Sequence, residues 1–209
     1  MRFKEYLIEA APFNLENFKK DCAPFLKQLE GTRGTTPLFR GDKQHPQDWS
    51  VITWQERSKP RNTPEVAHEM FNHFFKQQFG MTARNWMFAT GDDTEARSYG
   101  TLAMIFPIGN FQWICSKNPS GADLTLMFND NVAMVSQSQD GLDDDDVIYQ
   151  AASDTVDEMK TMGWYHNTNL EDCIMSNNEI MFRCSSYYAI NLKGHVYNSL
   201  EFQDFWHSL

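Results

Sequence analysis

The sequence contains no Cys-x-x-Cys pair, no glycine-rich phosphate or dinucleotide loop, and no Gly-x-Ser-x-Gly motif. These absences argue against a zinc finger, a P-loop ATPase and a hydride-transfer enzyme. No apolar run approaches the roughly 20 residues that span a bilayer, and the first residues lack the apolar segment of a secretory leader. The four cysteines are scattered, at Cys22, Cys115, Cys173 and Cys184. We therefore predict a cytoplasmic protein with reduced thiols and no membrane partner.

The sequence also has fewer positive than negative side chains. It contains 18 Lys and Arg residues and 28 Asp and Glu residues, which give a formal net charge of −10. Such a surface repels phosphate backbones, so we expect no broad nucleic-acid binding. The basic residues are densest from Arg33 to Arg61, and the acidic residues from Asp140 to Asp172. A cleft for an anionic ligand would therefore be built from the first half of the chain.

The 209 residues have a composition that supports one continuous core, with 41% apolar and 14% aromatic residues. Helical patterns come first and are followed mostly by strand patterns with one more helix inserted, which predicts an α+β fold. We expect a single domain over residues 1–209. It would comprise a helical segment (1–35), a mixed core (36–192) and a C-terminal tail (193–209).

Local signals place several elements. Asn14 is typical of a helix N-cap, and Pro24 predicts a kink or restart in the helix that follows. A polar cap at Asn62, followed by Pro64 and an acid, starts a helix that Gly80 ends. Strands are predicted at 36–41, 49–54, 86–90, 102–107, 111–115, 132–135, 179–184 and 187–192, and helices at 92–97 and from the acidic run 143–146 to Gly163.

Three of these segments together resemble the ADP-ribosyltransferase superfamily. Leu38-Phe39-Arg40-Gly41 is similar to the early strand that ends in an NAD-contacting arginine. Phe88-Ala89-Thr90-Gly91, followed by Tyr99-Gly100, resembles the aromatic-Ser-Thr-Ser strand and the short helix after it. Asn177-Asn178-Glu179-Ile180 resembles the segment in which the catalytic glutamate opens a strand that pairs with the following one. The resemblance implies N-terminal helices followed by a split, mostly antiparallel β core.

The resemblance also implies an activity and a set of roles. NAD would be the substrate, no metal would be needed, and a protein or another macromolecule would be the target. The implied roles are catalysis by Glu179, NAD contact by Arg40, Gly41, Thr90 and Tyr99, and substrate positioning by Asn177. A carboxylate such as that of Glu179 would stabilise the positive charge that grows on the ribose as the nicotinamide leaves.

The sequence departs from this family at three positions. Ala89 and Gly91 replace both serines of the Ser-Thr-Ser pattern, and Asn177 stands where arginine-modifying members have a second acid. An amide cannot take a proton at neutral pH, so we expect a target other than arginine. The stretch from Arg84 to Trp113 also resembles small bacteriophage proteins, which implies the host cytoplasm or a virion as its location.

Other interpretations remain open at this stage. The loss of the serines favours a binding or virion protein that keeps the fold without catalysis. A hydrolase using Cys115 or Ser116 as its nucleophile is a third hypothesis. The run Asp143 to Asp146 is read as a solvated helix start rather than a metal site, and His68 and His73 lack the four-residue separation of a two-histidine face.

Overall fold

The architecture is mixed α and β with antiparallel sheets, as the order of the sequence patterns predicts. The computed structural model describes residues 12–30, 37–42, 48–57, 63–118, 123–138 and 141–209. Its helices are α1 (Leu15–Asp21), α2 (Ala23–Leu29), α3 (Glu65–Phe79), α4 (Asp93–Ser98), α5 (Leu124–Ser138), α6 (Asp144–Thr161), α7 (Leu170–Met175), α8 (His195–Asn198) and α9 (Leu200–His207). Its strands are β1 (Phe39–Asp42), β2 (Trp49–Thr53), β3 (Met87–Ala89), β4 (Thr101–Pro107), β5 (Phe111–Ser116), β6 (Trp164–His166), β7 (Ile180–Cys184) and β8 (Ser186–Asn191).

The strands form two four-stranded sheets whose neighbours all run antiparallel. The first sheet has the order β1-β4-β8-β2, and the second has the order β3-β7-β5-β6. One antiparallel bridge, between Phe39 and Thr90, connects strand β1 of the first sheet with the end of β3 in the second. The family resemblance implies that the strand opened by Glu179 pairs with the next one, but β7 and β8 lie in different sheets.

The N-terminal helices confirm the expected break. Asn14 caps α1 by accepting a hydrogen bond from Asn17 N at 2.9 Å, and α1 and α2 meet at Cys22. Pro24 sits in the first turn of α2, where its missing N–H leaves no helical hydrogen bond unmade. The rest of the predicted 1–35 segment, residues 1–11 and 31–35, lies outside the described residues.

Helix α3 begins and ends close to the predicted limits. Gly80 follows it in the left-handed conformation with φ 75°, which a glycine adopts without steric cost. The predicted cap Asn62 lies outside the described residues, and Pro64 occupies the N-cap position. Helix α6 begins as expected from the acidic run, with Asp143 accepting a hydrogen bond from Asp146 N at 2.9 Å.

The strand predicted at 132–135 is wrong, because these residues belong to helix α5. Its buried residues Leu124, Phe128, Asn131 and Val135 recur at spacings of three and four, so tertiary packing against α6 overrides the β-branched character of Val132 and Val135. The segment 193–209, treated as a tail, contains α8 and α9. Phe202 and Trp206 of α9 are buried in the core.

Two hydrophobic clusters flank the sheets. The aromatic cluster gathers α1, α2, α9 and the first sheet around Phe18, Phe106, Tyr188 and Phe202. The helix-covered cluster lies between α3, α5, α6 and the second sheet. Within the described ranges, no helix is long and apolar enough to cross a membrane.

The expectation of four reduced thiols is wrong for two of them. Cys115 on β5 and Cys173 on α7 form a disulfide with their Cα atoms 6.0 Å apart. Their separation of 58 residues carries no local signal, so only the packing of α7 on the second sheet brings them together. Cys22 and Cys184 are buried free thiols.

Candidate functional site

The three segments that carry the family resemblance are neighbours in space. Phe39 and Thr90 exchange two backbone hydrogen bonds, of 2.7 and 3.0 Å, which place β1 beside the end of β3. Strand β3 pairs in turn with β7, with Ala89 opposite Ile180. Thr90 and Glu179 are therefore the next residues along these two paired strands. The Phe39 segment lies about 50 residues before Thr90, and the Glu179 segment lies about 90 residues after it. All three meet at one edge of the second sheet.

The turn that presents Glu179 is held by hydrogen bonds on both sides. Asn177 has φ 58°, a left-handed conformation that asparagine tolerates better than most residues. Its carbonyl accepts a hydrogen bond from Thr90 Oγ1 at 3.2 Å. The buried Asn178 donates through Nδ2 to Ser116 O at 3.1 Å and Asn118 O at 2.7 Å. The turn is thus anchored to the ends of β3 and β5 immediately before Glu179.

Glu179 forms an ion pair with Arg84 in which Nη1 donates to Oε1. Only 4% of the arginine side chain and 12% of the glutamate side chain are exposed. Burial raises the pKa of Glu179 to about 7, while Arg84 opposes the rise and Asp123 adds to it. A carboxyl group that changes its charge near neutral pH is suited to acid–base or electrostatic work.

A second arginine and an aromatic ring complete the positive side of the site. The guanidinium carbons of Arg57 and Arg84 lie 4.3 and 4.5 Å from the centroid of the Phe88 ring. Arg57 also donates through Nη2 to Trp86 O at 2.5 Å and opposes the rise that burial causes in the pKa of Glu179. Two cations therefore contact one aromatic ring next to a carboxyl group, an arrangement that attracts an anionic ligand group.

Tyr99 and two carboxylates interact electrostatically near Glu179. The side chain of Tyr99 is 49% exposed, and its pKa is raised by partial burial, Asp123, Glu95 and Glu179. The pKa of Glu95 is itself raised by burial and by Asp123. Asp123 and Tyr99 thus interact electrostatically with Glu179, and Glu95 interacts with Asp123 and Tyr99.

Arg40, by contrast, projects from the opposite face of the strands. Side chains alternate along a strand and paired residues share a face, so Thr90 shares a face with Phe39 and Arg40 takes the other. The guanidinium of Arg40 donates to Phe88 O at 2.8 Å. Burial raises the pKa of the Cys184 thiol, and the charge of Arg40 opposes that rise. The structure thus brings Thr90 and Tyr99 to Glu179 but not the Arg40 guanidinium.

Two glycines of the predicted site allow elements to pack closely. A Cβ atom on Gly41 would lie 1.9 Å from Ala96 O on α4, and one on Gly91 would lie 1.9 Å from Ile174 O on α7. Both contacts are with backbone, which cannot rotate away. The two glycines therefore allow α4 and α7 to pack against the strands that carry the site. Asn177, in the turn between α7 and Glu179, has an exposed side chain.

Sequence reasoning missed Arg57, Arg84 and Asp123. The only sequence signal for Arg57 was the density of basic residues between Arg33 and Arg61, and nothing marked the other two. Cys115 cannot be the nucleophile of a hydrolase, because its sulfur is bonded to Cys173 and fully buried. In the part of the chain that the structure describes, no group of three or more His, Cys, Asp or Glu side chains could hold a metal ion.

Comparison with known proteins does not assign the chain to a family. No family model, no curated protein and no solved structure matches it.

Proposed function

We propose that the chain is an NAD-dependent mono-ADP-ribosyltransferase-like protein with Glu179 as its catalytic carboxylate. The observation that carries the proposal is the adjacency of β1, β3 and β7, the strands of the three resembling segments. These segments are far apart in sequence, and a chance likeness in each would not require them to meet.

In the proposed reaction the bond between ribose C1′ and the nicotinamide nitrogen breaks. Its electron pair goes to the ring nitrogen, so nicotinamide leaves as a neutral molecule. A nucleophile on the target, or water, forms the new bond to C1′ and loses its proton. Glu179, in its ionised form, stabilises the positive charge on the ribose. Arg84 holds Oε1, so Oε2 is the oxygen directed to the sugar.

The other side chains around Glu179 support binding of the same ligand. Arg57 and Arg84 supply positive charge for the pyrophosphate, taking the place that the family resemblance gives to Arg40. Tyr99 offers a half-exposed ring for stacking on the nicotinamide. Asn177 stands beside Glu179 without a carboxylate, so the proposed target is a macromolecular group other than arginine.

The experiment follows transfer of label from NAD that is labelled in its adenylate half. Wild-type protein, Glu179→Ala and the control Glu201→Ala, which removes an exposed carboxylate on α9, are incubated with bacterial lysate. We expect labelled macromolecules and released nicotinamide with the wild type and the control, and a loss of at least about 100-fold in Glu179→Ala. Equal labelling by all three proteins would refute the catalytic role of Glu179.

A second candidate is a non-catalytic binding protein with the same fold. The ion pair that occupies Glu179 and the missing serines at positions 89 and 91 favour it. Calorimetry separates the two candidates. An enzyme binds NAD measurably and turns it over, whereas a pure binding protein gives no heat with NAD and releases no nicotinamide.

A further inference from the structure

A cluster of polar side chains, of which one is buried and two are partly buried, contacts the turn that carries Arg84. It consists of His68 and Asn72 on α3 and Asn85 in the 3-10 turn Ala83–Asn85 that also carries Arg84; we name it the amide cluster. Asn85 Oδ1 is 2.9 Å from His68 Nε2 and 2.9 Å from Asn72 Nδ2. Asn72 Oδ1 accepts a hydrogen bond of 3.0 Å from Arg84 N. The amide cluster is therefore hydrogen-bonded to the backbone N–H of Arg84, the residue that pairs with Glu179.

The direction of each hydrogen bond follows from the backbone. Arg84 N–H can only donate, so the atom of Asn72 facing it is the oxygen, and Nδ2 is left to donate. Asn85 must then present its oxygen to Asn72, and His68 must carry a proton on Nε2 to avoid two facing acceptors. In this arrangement His68 Nε2 and Asn72 Nδ2 both donate to Asn85 Oδ1 and, although 3.1 Å apart, make no hydrogen bond to each other.

The same turn fixes both cations of the site. Arg84 is anchored by its own backbone N–H, and Asn85 O accepts a hydrogen bond from Arg57 N at 2.9 Å. The side-chain amide of Asn85 and its backbone carbonyl therefore link the amide cluster to Arg84 on one side and to Arg57 on the other. Displacing this turn would move both guanidinium groups relative to Phe88 and Glu179.

We propose that His68, Asn72 and Asn85 are positioning residues that hold Arg84 on Oε1 of Glu179 and so leave Oε2 directed to the ligand. This role deepens the proposed function and depends on it only where catalysis is measured. None of the three side chains needs to touch the substrate, because each acts through the 3-10 turn.

The titration of Glu179 reports the position of Arg84. The charged and titratable groups around Glu179 are Arg84 from the 3-10 turn, Arg57 from the segment after β2, Asp123 before α5 and Tyr99 after α4. Only Arg84 both pairs with the carboxylate and is anchored by Asn72. Moving its guanidinium away removes an opposite charge from contact, an effect that shifts a carboxyl pKa upward by about one unit or more.

The first test compares Asn72→Ala with Asn129→Ala, which changes an exposed asparagine on α5. Glutamate side-chain carboxyl signals are followed by 13C NMR from pH 4 to 9, and the Glu179 signal is assigned by its absence in Glu179→Gln. We expect the Glu179 titration to move upward by about one pH unit in Asn72→Ala and to stay unchanged in Asn129→Ala. A lower melting temperature for Asn72→Ala with an unmoved Glu179 titration would overturn the proposal.

A second pair of variants separates hydrogen bonding from packing. In His68→Gln the side-chain N–H can still reach Asn85, whereas His68→Leu keeps apolar volume and loses the donor. We expect the Glu179 carboxyl group to titrate in His68→Gln as it does in the wild type. In His68→Leu we expect it to titrate as it does in Asn72→Ala. Equal shifts of the Glu179 titration in both variants, or no shift in either variant, would contradict the positioning role.

Activity supplies the last readout and distinguishes this inference from the function on which it rests. At pH 7, nicotinamide release by Asn72→Ala should fall several-fold and recover by pH 8.5, where the carboxyl group is ionised again. The NMR titrations need neither NAD nor turnover. If the wild type shows no activity but the titrations behave as stated, the proposed function fails and the positioning role stands. If turnover is present and the titrations do not move, only the positioning role fails.

Discussion

The aromatic cluster and the helix-covered cluster stabilise the protein by different means. Around Phe18 in the aromatic cluster, rings meet edge to face, with Phe18 4.8 Å from Phe106 and 5.2 Å from Tyr188 between centroids. The buried ionisable side chains His68 and Arg84 lie instead on elements that pack into the helix-covered cluster, and Arg84 pairs with Glu179. Packing energy does not depend on pH, but the free energy of a buried titrating group does. The two sides should therefore respond differently to the same change of conditions.

The largest expected effect tests the aromatic side. Phe18 is fully buried, and Phe18→Ala should lower the free energy of unfolding by about 3–5 kcal/mol, because it removes a large ring and leaves a cavity. The loss should be the same at pH 5.5 and pH 8, as measured by urea unfolding. Leu200→Ala, which changes an exposed side chain, should stay within about 0.5 kcal/mol of the wild type. A loss that varies strongly with pH would erase the distinction between the two clusters.

The next effect concerns the disulfide that ties α7 to the second sheet. Replacing Cys115 and Cys173 together with alanine should cost about 4 kcal/mol, because a closed loop of this length restricts the unfolded chain. Thiol titration in denaturant provides an independent check. Unfolded wild-type protein should expose two reactive thiols, those of Cys22 and Cys184, and four after reduction. Four reactive thiols without reductant would show that the bond is absent.

A smaller effect should be confined to the Glu179 side and depend on pH. Because the pKa of Glu179 is raised from 4.5 to about 7 by burial, the folded protein keeps a proton that the unfolded chain loses. That contribution is fully present below pH 4.5 and is lost as the pH rises through 7. The wild type should lose on the order of 3 kcal/mol of stability across this window, whereas Glu179→Gln should not.

Two controls isolate that contribution. Burial lowers the pKa of His68, so His68 acts in the opposite sense, and its contribution is lost as the pH falls below 6.5. Subtracting the Glu179→Gln profile from the wild-type profile removes this background. Glu201→Gln, on the exposed face of α9, should reproduce the wild-type profile. If Glu179→Gln also reproduced it, Glu179 would not carry a raised pKa.

The smallest expected effect is the loss of stability when a helix cap is removed. We compare the cap of α1, on the aromatic side, with the cap of α6, on the helix-covered side. Asn14→Ala should cost about 1 kcal/mol, because it leaves the N–H of Asn17 without its acceptor. Asp143→Ala should cost less, since losing that cap also removes repulsion with the acidic residues 144–146. Thermal melts of the two single variants measure the difference. A larger loss for Asp143→Ala would mean that repulsion within the acidic run is negligible.

Features with a local cause were predictable from the sequence. The start of α1, the break before α2 and the end of α3 follow from Asn14, Pro24 and Gly80, whose effects act within one helical turn. The family resemblance groups the segments around Thr90 and Glu179, and the pairing of β3 with β7 brings these segments together. The roles that the resemblance implies for them stay predictions.

Features that depend on distant contacts were not predictable. Arg84 carries no motif, and its importance arises only because α3 and the 3-10 turn present it to a residue 95 positions later. Helix α5 contains β-branched residues whose strand preference is outweighed by packing against α6. Arg40 was expected at the site, but a change of one residue in strand register reverses the face of a side chain, and sequence does not specify that register.

The link between Cys115 and Cys173 also limits how far the protein can be stretched. Pulling on the two ends of the oxidised chain cannot extend the residues between the bonded cysteines, which shortens the reachable contour length by about 200 Å at 3.3–3.6 Å per residue. Glu179 lies only six residues after Cys173, in the part of the chain that is outside the closed loop and can be extended. In a force-extension experiment, strand β7, which follows Glu179, would peel away while α5, α6 and β6 remain inside the closed loop.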